Sequence, residues 1–402
     1  LELSFVDDAR HITEQLIRFA TPSQHSNEAV TDWLEAKLHE LGFRCERIDR
    51  FDSQHVKKCN IVACREPLFR TPPDYSSQAS SRDTEDGASL HPGVAYFAHT
   101  DVVPAETWDG PGGPFDPVVA DNRLYGRGSC DMKGSLAAML AAIRRIPHVE
   151  QKGTIWLVCT ADEEIGFGGA KNVRQHSQLY RQMVAAQPFG IIGEPTRLHV
   201  MHAHKGISGI KLVSRGRAAH SSTRDGHNAT LAMIPVMQEM LRIYHETEQN
   251  PDYHDERFDP PTLTWNFGFA NNIDAINVTP ALCRAWASWR TMPGIDAQQL
   301  VDGLRNVARQ QGVEVHEYEG GSPLWVDAQH PWVQSMCRLA NRSTPETVSY
   351  CTDAGQFTEI QALVVCGPGD IAQAHTSDEF IDLDQLAAGV DLYEKVLRTT
   401  CT

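Results

Sequence analysis

A set of histidines and carboxylates in this sequence has the types and the spacing that hold a divalent metal and move a proton beside it. His99 and Asp101 stand two apart in the stretch Val94–Pro104, at the C-terminal end of an apolar run with strand character. Residues two apart in a strand share a face, so the imidazole can bind a metal while the carboxylate sits close enough to fix the ring. Asp131 follows the run G-R-G-S-C, Glu163 and Glu164 follow the strand-like segment Thr154–Thr160, Glu194 follows Phe189–Gly193, and His375 lies in a loop after Ala362–Cys366. Nitrogen and oxygen donors without cysteine suit zinc, cobalt or manganese. One carboxylate shared by two ions about 3.5–4 Å apart is an economical way to build a hydrolytic site. On spacing alone His99, Asp131, Glu164, Glu194 and His375 are candidate ligands, undivided between ions.

The elements that must position these groups alternate. Strand-like apolar runs are separated by segments of helical spacing: Val30, Trp33, Leu34, Leu38 and Leu41 before Gly42, Met132–Ile146 before Pro147, and Leu383–Leu397 at the end. Strands alternating with helices predict a mostly parallel α/β sheet flanked by helices, with the carboxyl ends of its strands along one edge. Asp131 is expected at the N-terminal edge of a helix, where the dipole favours a carboxylate.

From Gly206 the texture changes to strand Ile207–Ser214, helix Ala229–Tyr244, strands Thr262–Gly268 and Ala281–Trp289, and a helix to Gly312 opened by a capping-box pattern at Asp296 and Gln299. This is a self-contained α+β unit of ferredoxin-like order inserted into the first. The expected division is 1–205 and 318–402 for the catalytic domain, with 206–317 between them. Arg65–Pro92, rich in Pro, Ser, Asp and Gly, is expected to be a mobile surface insertion without a core.

Composition narrows the function. A chain of 402 residues with 41% hydrophobic and 22% charged residues has the size of two domains and the balance of a globular protein. The net charge of −16 argues against nucleic acid or an anionic membrane as partner. The longest apolar runs are strand-sized, far short of a membrane span. Leu1–Arg10 carries Asp7 and Asp8 and lacks the basic-then-apolar order of a secretory signal, and the ten cysteines form no C-x-x-C pair. Reduced thiols and a cytoplasmic location are the expectation.

The motifs F-A-H-T-D, G-R-G-S-C-D-M-K-G, T-A-D-E-E-I-G, G-E-P-T, G-R-A-A-H-S-S and A-H-T-S-D-E-F, in this order across nearly the whole chain, resemble the dizinc exopeptidase and deacylase family. Within it, C-T-A-D-E-E, I-I-G-E-P-T, A-H-K-G and S-Y-C-T-D look most like the acetylornithine deacetylase branch, and acetylcitrulline deacetylases share several of these stretches. The resemblance implies two divalent ions, zinc with cobalt as a substitute. Asp131 would bridge them, with His99 and Glu194 completing one ion, Glu164 and His375 the other. It implies that Asp101 orients His99, that Glu163 is the general base, and that a cis peptide follows Asp131. His220 would stabilise the oxyanion, in relatives from a partner subunit, and Arg290 and Asn277 would grip the substrate carboxylate. The inserted domain would serve as lid and as homodimer contact.

The implied reaction is hydrolysis of an N-acetyl amino acid, first N2-acetyl-L-ornithine, a step of arginine biosynthesis. Acetylcitrulline, other acyl-amino acids or dipeptides are the alternatives, and a non-catalytic amino-acid binder is the alternative of another class. Three positions depart from the usual pattern: Ala98 before the metal histidine, Ala219 before His220, and Ser288 two before Arg290. His202 and His204 read as ordinary polar residues, Lys205-Gly206 as a hinge, Asp353 as a turn or capping residue, and Asp378 and Glu379 as solvated or helix-entry charges.

Overall fold

The computed structural model describes residues 5–68, 93–271, 273–318 and 320–402, with side chains from residue 8 onward. Most of the expected surface insertion, 69–92, lies outside the described residues. The chain forms two compact units, Leu1–His202 with Val326–Glu346 and Thr352–Thr402, and Ala203–Trp325 with Thr347–Cys351.

At the centre of the first unit four parallel strands lie side by side in the order Ile155–Thr160, Val94–His99, Phe189–Pro195 and Leu363–Gly367. Antiparallel strands extend the sheet on both sides: Lys57–Arg65 and Arg44–Phe51 beyond the first of these, and Met201 against Val365 beyond the last. Every residue of Val94–His99, Ile155–Thr160 and Leu363–Gly367 is buried, which is why these segments read as unbroken apolar runs and not as alternation.

Helix Gly134–Arg144 is buried from Gly134 to Ile143 because it packs against Phe5–Arg18 and Leu383–Cys401 as well as the sheet. A polar thread crosses this core. The Tyr96 hydroxyl meets Ser135 Oγ at 2.8 Å, Ser135 Oγ meets the Tyr393 hydroxyl at 2.8 Å, and that hydroxyl reaches the Cys366 carbonyl at 3.0 Å. A Cβ on Gly193 would fall 2.0 Å from the Tyr96 hydroxyl oxygen, so only glycine lets the strand carrying Glu194 pass here.

Two features go beyond the short strand that the sequence suggests before G-R-G. Helices Gly168–His176 and Gln178–Ala186 follow the Glu163–Glu164 turn, divided at Ser177, whose hydroxyl caps the second by accepting from Tyr180 N. A small antiparallel sheet of Val118–Ala120, Arg123–Tyr125 and Phe380–Asp382 pairs segments far apart in the chain.

The second unit runs strand Ser208–Arg215, helix Ala229–Gln249, strands Trp265–Ala270 and Leu282–Trp289, helix Gln298–Gln310 and strand Glu314–Tyr318. Its antiparallel sheet has the order Trp265–Ala270, Leu282–Trp289, Ser208–Arg215, Glu314–Tyr318, a split β-α-β arrangement. Its core includes Leu212, Met233, Met240, Leu300 and Leu304. The expected capping box does not form. Asp296 accepts from Gln298 N at 2.8 Å, and the helix opens one residue later behind Ala297.

Candidate active site

The carboxyl ends of the parallel strands deliver the candidate groups to one edge of the first unit's sheet. His99 closes its strand and Glu194 is the penultimate residue of Phe189–Pro195. Glu163 and Glu164 sit in the turn after Thr160, and His375 in the loop after Gly367. Asp131 arrives differently. It follows the small sheet in an irregular turn, Ser129–Lys133, with non-helical φ −117° and ψ 95°, and a cis peptide joins it to Met132.

These side chains converge. His99 Nε2 lies 3.0 Å from Asp131 Oδ1 and 3.7 Å from Glu194 Oε1. His375 Nε2 lies 3.4 Å from Asp131 Oδ2 and 3.1 Å from Glu164 Oε2. Each oxygen of Asp131 therefore faces a different imidazole. One ligand atom from each of His99, Asp131 and Glu164 falls within 4.8 Å of the others.

Asp101 behaves otherwise than its spacing suggests. His99 Nδ1 is 2.9 Å from the Asp101 main-chain carbonyl but 3.8 Å from its carboxylate. The carbonyl fixes the ring and leaves Nε2 for the cluster. The carboxylate instead accepts from the Ser23 hydroxyl at 2.7 Å and from the amides of Glu163 and Glu164 at 3.2 and 3.4 Å. It holds the turn that bears both glutamates.

The same turn is anchored from behind by Asp162, which adopts a left-handed φ of 61° and pairs with Arg50 and, at 3.0 Å, with the buried Lys58. His375 also takes a left-handed φ, of 65°. Backbone held in this sparsely populated region by its surroundings is a mark of sites where position matters more than local stability.

Burial raises the pKa of Glu163 well above the carboxylate range, Glu194, Glu164 and Asp353 add to the rise, and His99 opposes it. Glu164 and Glu194 are raised by burial and then by Asp131. Asp131 runs the other way: burial pushes it up, but bonds with His375 and His99 outweigh burial and lower it. His375 is pushed up to about 10 by its bonds to Asp131 and Glu164. His99 is raised too, its bond to Asp131 overcoming burial. More carboxylates than cations are thus gathered in one desolvated place, which leaves the cluster short of positive charge. Two imidazoles and several carboxylates around such a deficit fit a divalent cation.

His220, Asn277 and Arg290 belong to the second unit. His220 and Asn277 are exposed and adjoin each other, with Ser221 N donating to the Asn277 carbonyl at 3.0 Å. Ser222 N donates to His220 Nδ1 at 3.2 Å, so Nδ1 is the acceptor and the ring proton sits on Nε2. Arg290 is half-buried at the end of the Leu282–Trp289 strand, its amide bonded to Leu263.

Other residues depart from, or fill in, what their motifs suggested. Glu379 is not a solvated charge. It is 1% exposed and paired with the buried Arg127 at 2.7 Å. Asp353 is buried at the start of a short helical turn, takes a bond from Thr160 at 2.6 Å, and its carboxyl is pushed up to about 6 by burial. His202 and His204 are buried, with Nδ1 against the carbonyls of Val326 and Lys205. Lys205 is fully buried, with Nζ 2.6 Å from the carbonyls of both Pro260 and Thr262. Only the Arg in G-R-G and the Glu four residues after His375 could have flagged the Arg127–Glu379 pair, and neither spacing reveals that they meet.

Histidines and carboxylates gathered beside the carboxyl ends of the parallel strands, with more acidic than basic groups among them, fit a metal-dependent hydrolase. The chain belongs to Peptidase family M20/M25/M40, whose profile matches residues 95–399. It is 31% identical over 383 residues to the acetylornithine deacetylase of Myxococcus xanthus, covering 92% of each chain. To that of Klebsiella pneumoniae (strain 342) it is 30% identical over 401 residues, covering 95% of each.

Among solved structures the fold is similar to an M20 family metallo-carboxypeptidase from Sulfolobus solfataricus (TM-score 0.72, 16% identity, covering 98% of this chain and 99% of that one). It is also similar to a dipeptidase from Saccharomyces cerevisiae (TM-score 0.71, 13% identity, covering 98% and 96%). No helix among the described residues is long and apolar enough to cross a membrane.

Proposed function

We propose that this hydrolase removes the acetyl group from an N-acetyl amino acid, with N2-acetyl-L-ornithine as its first substrate. The observation that carries this reading is the convergence of His99, His375, Asp131, Glu164 and Glu194 beside the half-buried Glu163. Similarity to enzymes named acetylornithine deacetylase over more than nine-tenths of the chain supports the substrate.

His99, Asp131 and Glu194 would hold one divalent ion, and Asp131, Glu164 and His375 a second, zinc being the first choice and cobalt a substitute. The two oxygens of Asp131, turned to different imidazoles, support its role as the shared ligand. When bound, the metal supplies positive charge that polarises an amide carbonyl and makes water more acidic. Glu163 takes the proton of the attacking water and passes it to the leaving amine, which must depart neutral.

Asp101 keeps the Glu163–Glu164 turn in place. His220, with its proton on Nε2, is a donor suited to a developing oxyanion, and Arg290 and Asn277 are suited to the substrate carboxylate.

The second unit would also join two copies into a homodimer. Its edge strand Trp265–Ala270 and helix Ala229–Gln249 expose Phe269, Ile234 and Leu241 around an apolar cavity of about 420 Å³. An unpaired apolar edge is an association surface. Sedimentation of Phe269→Glu should then give a monomer where the unmodified chain gives a dimer, and an unmodified monomer would refute the pairing. The substrate is tested by kcat/KM on N2-acetyl-L-ornithine and N2-acetyl-L-citrulline side by side. A preference for the cationic side chain is expected, and a preference for the neutral one would overturn the ornithine assignment.

A further inference from the structure

We propose that the buried Arg127–Glu379 pair is a positioning clamp that locks the Asp131 turn to the His375 loop, so that both faces of the cluster are set before any ion arrives. The inference rests on the metal-site reading above.

The Glu379 carboxylate accepts four bonds. Oε2 takes Arg127 Nη1 at 2.7 Å and Gly128 N at 2.9 Å, and Oε1 takes Cys130 N at 2.9 Å and Asp131 N at 3.0 Å. These match the lone-pair capacity of an ionised carboxylate, so nothing about it is left unsatisfied in a place where water does not reach. Arg127 spends its second prong, Nη2, on the Thr376 carbonyl at 2.8 Å, next to His375. One guanidinium therefore holds Glu379 with one hand and the His375 loop with the other. That two-handed grip is available to the planar fork of arginine and not to a lysine ammonium.

The local backbone is shaped for this. Gly128 has φ 84°, a left-handed conformation that turns the amides of Gly128, Cys130 and Asp131 toward one point, a nest for an anion. The anion is supplied by the small sheet. Phe380 pairs with Tyr125, which puts Glu379 opposite the G-R-G turn, and Gly126 N donates to the Glu379 carbonyl at 3.1 Å. Glu379 thus grips the amide of the residue whose carboxylate faces both imidazoles, and its partner grips the peptide beside one of those imidazoles. Outer partners that orient ligands in this way typically change metal affinity by about 10- to 100-fold when removed.

The test is cobalt(II) titration of the metal-stripped full chain, read by visible absorption and calorimetry, for Glu379→Gln and Arg127→Lys. Glu379→Gln puts an NH₂ where amides now donate, and should weaken cobalt binding about 10- to 100-fold with an altered ligand-field band. Arg127→Lys keeps the charge but loses the bond to Thr376, and should weaken chiefly the ion that takes His375.

Variants that bind cobalt with unchanged affinity and spectrum, and lose only thermal stability, would overturn the proposal. A measurement that needs no variant stands beside it. In the metal-stripped unmodified chain the amides of Gly128, Cys130 and Asp131 should already be protected from hydrogen exchange, and protection that appears only with metal would overturn the clamp. Failure of the unmodified chain to take up cobalt at all would strike the metal reading instead, and the exchange result would still decide the clamp.

Discussion

The two regions that carry candidate chemistry are built in opposite ways. In the first unit His99, Asp131 and Glu194 are buried and Glu164 is half-buried, with His375 alone of the candidate ligands exposed, and the Asp131 and Glu163–Glu164 turns are held by Glu379, Asp101 and Asp162. In the second, His220 and Asn277 are exposed, and the His220 ring meets the hydroxyl and the amide of its neighbour Ser222. The difference matches the tasks assigned to them. Groups that hold a metal and move a proton must be fixed before substrate arrives, because a displacement of an ångström is costly there. Groups that meet the substrate need only be available until it binds.

The largest break in the comparison comes from the buried region. Glu163→Gln should keep the bound metal and lower kcat by about 10²- to 10⁴-fold, since a positioned acid–base group contributes on that scale. Metal content and kcat on the same sample check it, and full activity with metal in place would remove Glu163 from the reaction. The exposed region should yield a smaller loss. His220→Ala should lower kcat by about 10²- to 10³-fold with little change in KM, as for removal of a donor to an oxyanion. A change in KM alone would make His220 a binding group.

A third expectation concerns charge. In the metal-stripped chain His375 is pushed up to about 10 from its ordinary 6.5 by Asp131 and Glu164, so the stabilisation it brings is complete below pH about 6.5 and is lost as pH rises through about 10. The melting temperature of the stripped chain should therefore fall as pH rises from about 6.5 to about 10. Metal uptake near pH 7 should release protons from His375 and His99, which must shed them to ligate. Calorimetry in buffers of different ionisation enthalpy reads that release, and uptake without it would contradict the pairing. Least of all, Ser23→Ala removes one of three bonds to the Asp101 carboxylate and should cost about 1 kcal/mol of stability in denaturant unfolding, with a modest loss of kcat.

How much of this was legible in the chain follows from what each signal depends on. The strand ends bearing His99, Glu163, Glu164 and Glu194 could be read because a strand buried on both faces is an apolar run, and a histidine or carboxylate immediately after it stands out. The β-α-β-β-α-β order of the second unit could be read because its helices and strands are long enough to show their periods. The three-residue strands of the small sheet have no period to show, so the pairing of Phe380 with Tyr125 was hidden, and with it the burial of Glu379 against Arg127. Helices Gly168–His176 and Gln178–Ala186 are short and divided at a single serine, which blurred their amphipathic pattern. The two-residue spacing of His99 and Asp101 marks them as neighbours on one face, but spacing does not say whether a carbonyl or a carboxylate faces the ring.

Whether this chain is a metal-dependent hydrolase of N-acetyl amino acids is decided by acetate release from N2-acetyl-L-ornithine during titration of zinc or cobalt into the stripped chain. No release is expected without metal, and release should rise with metal until the site is filled. Hydrolysis indifferent to stripping, or a fully loaded chain that releases acetate from no N-acetyl amino acid, would contradict it.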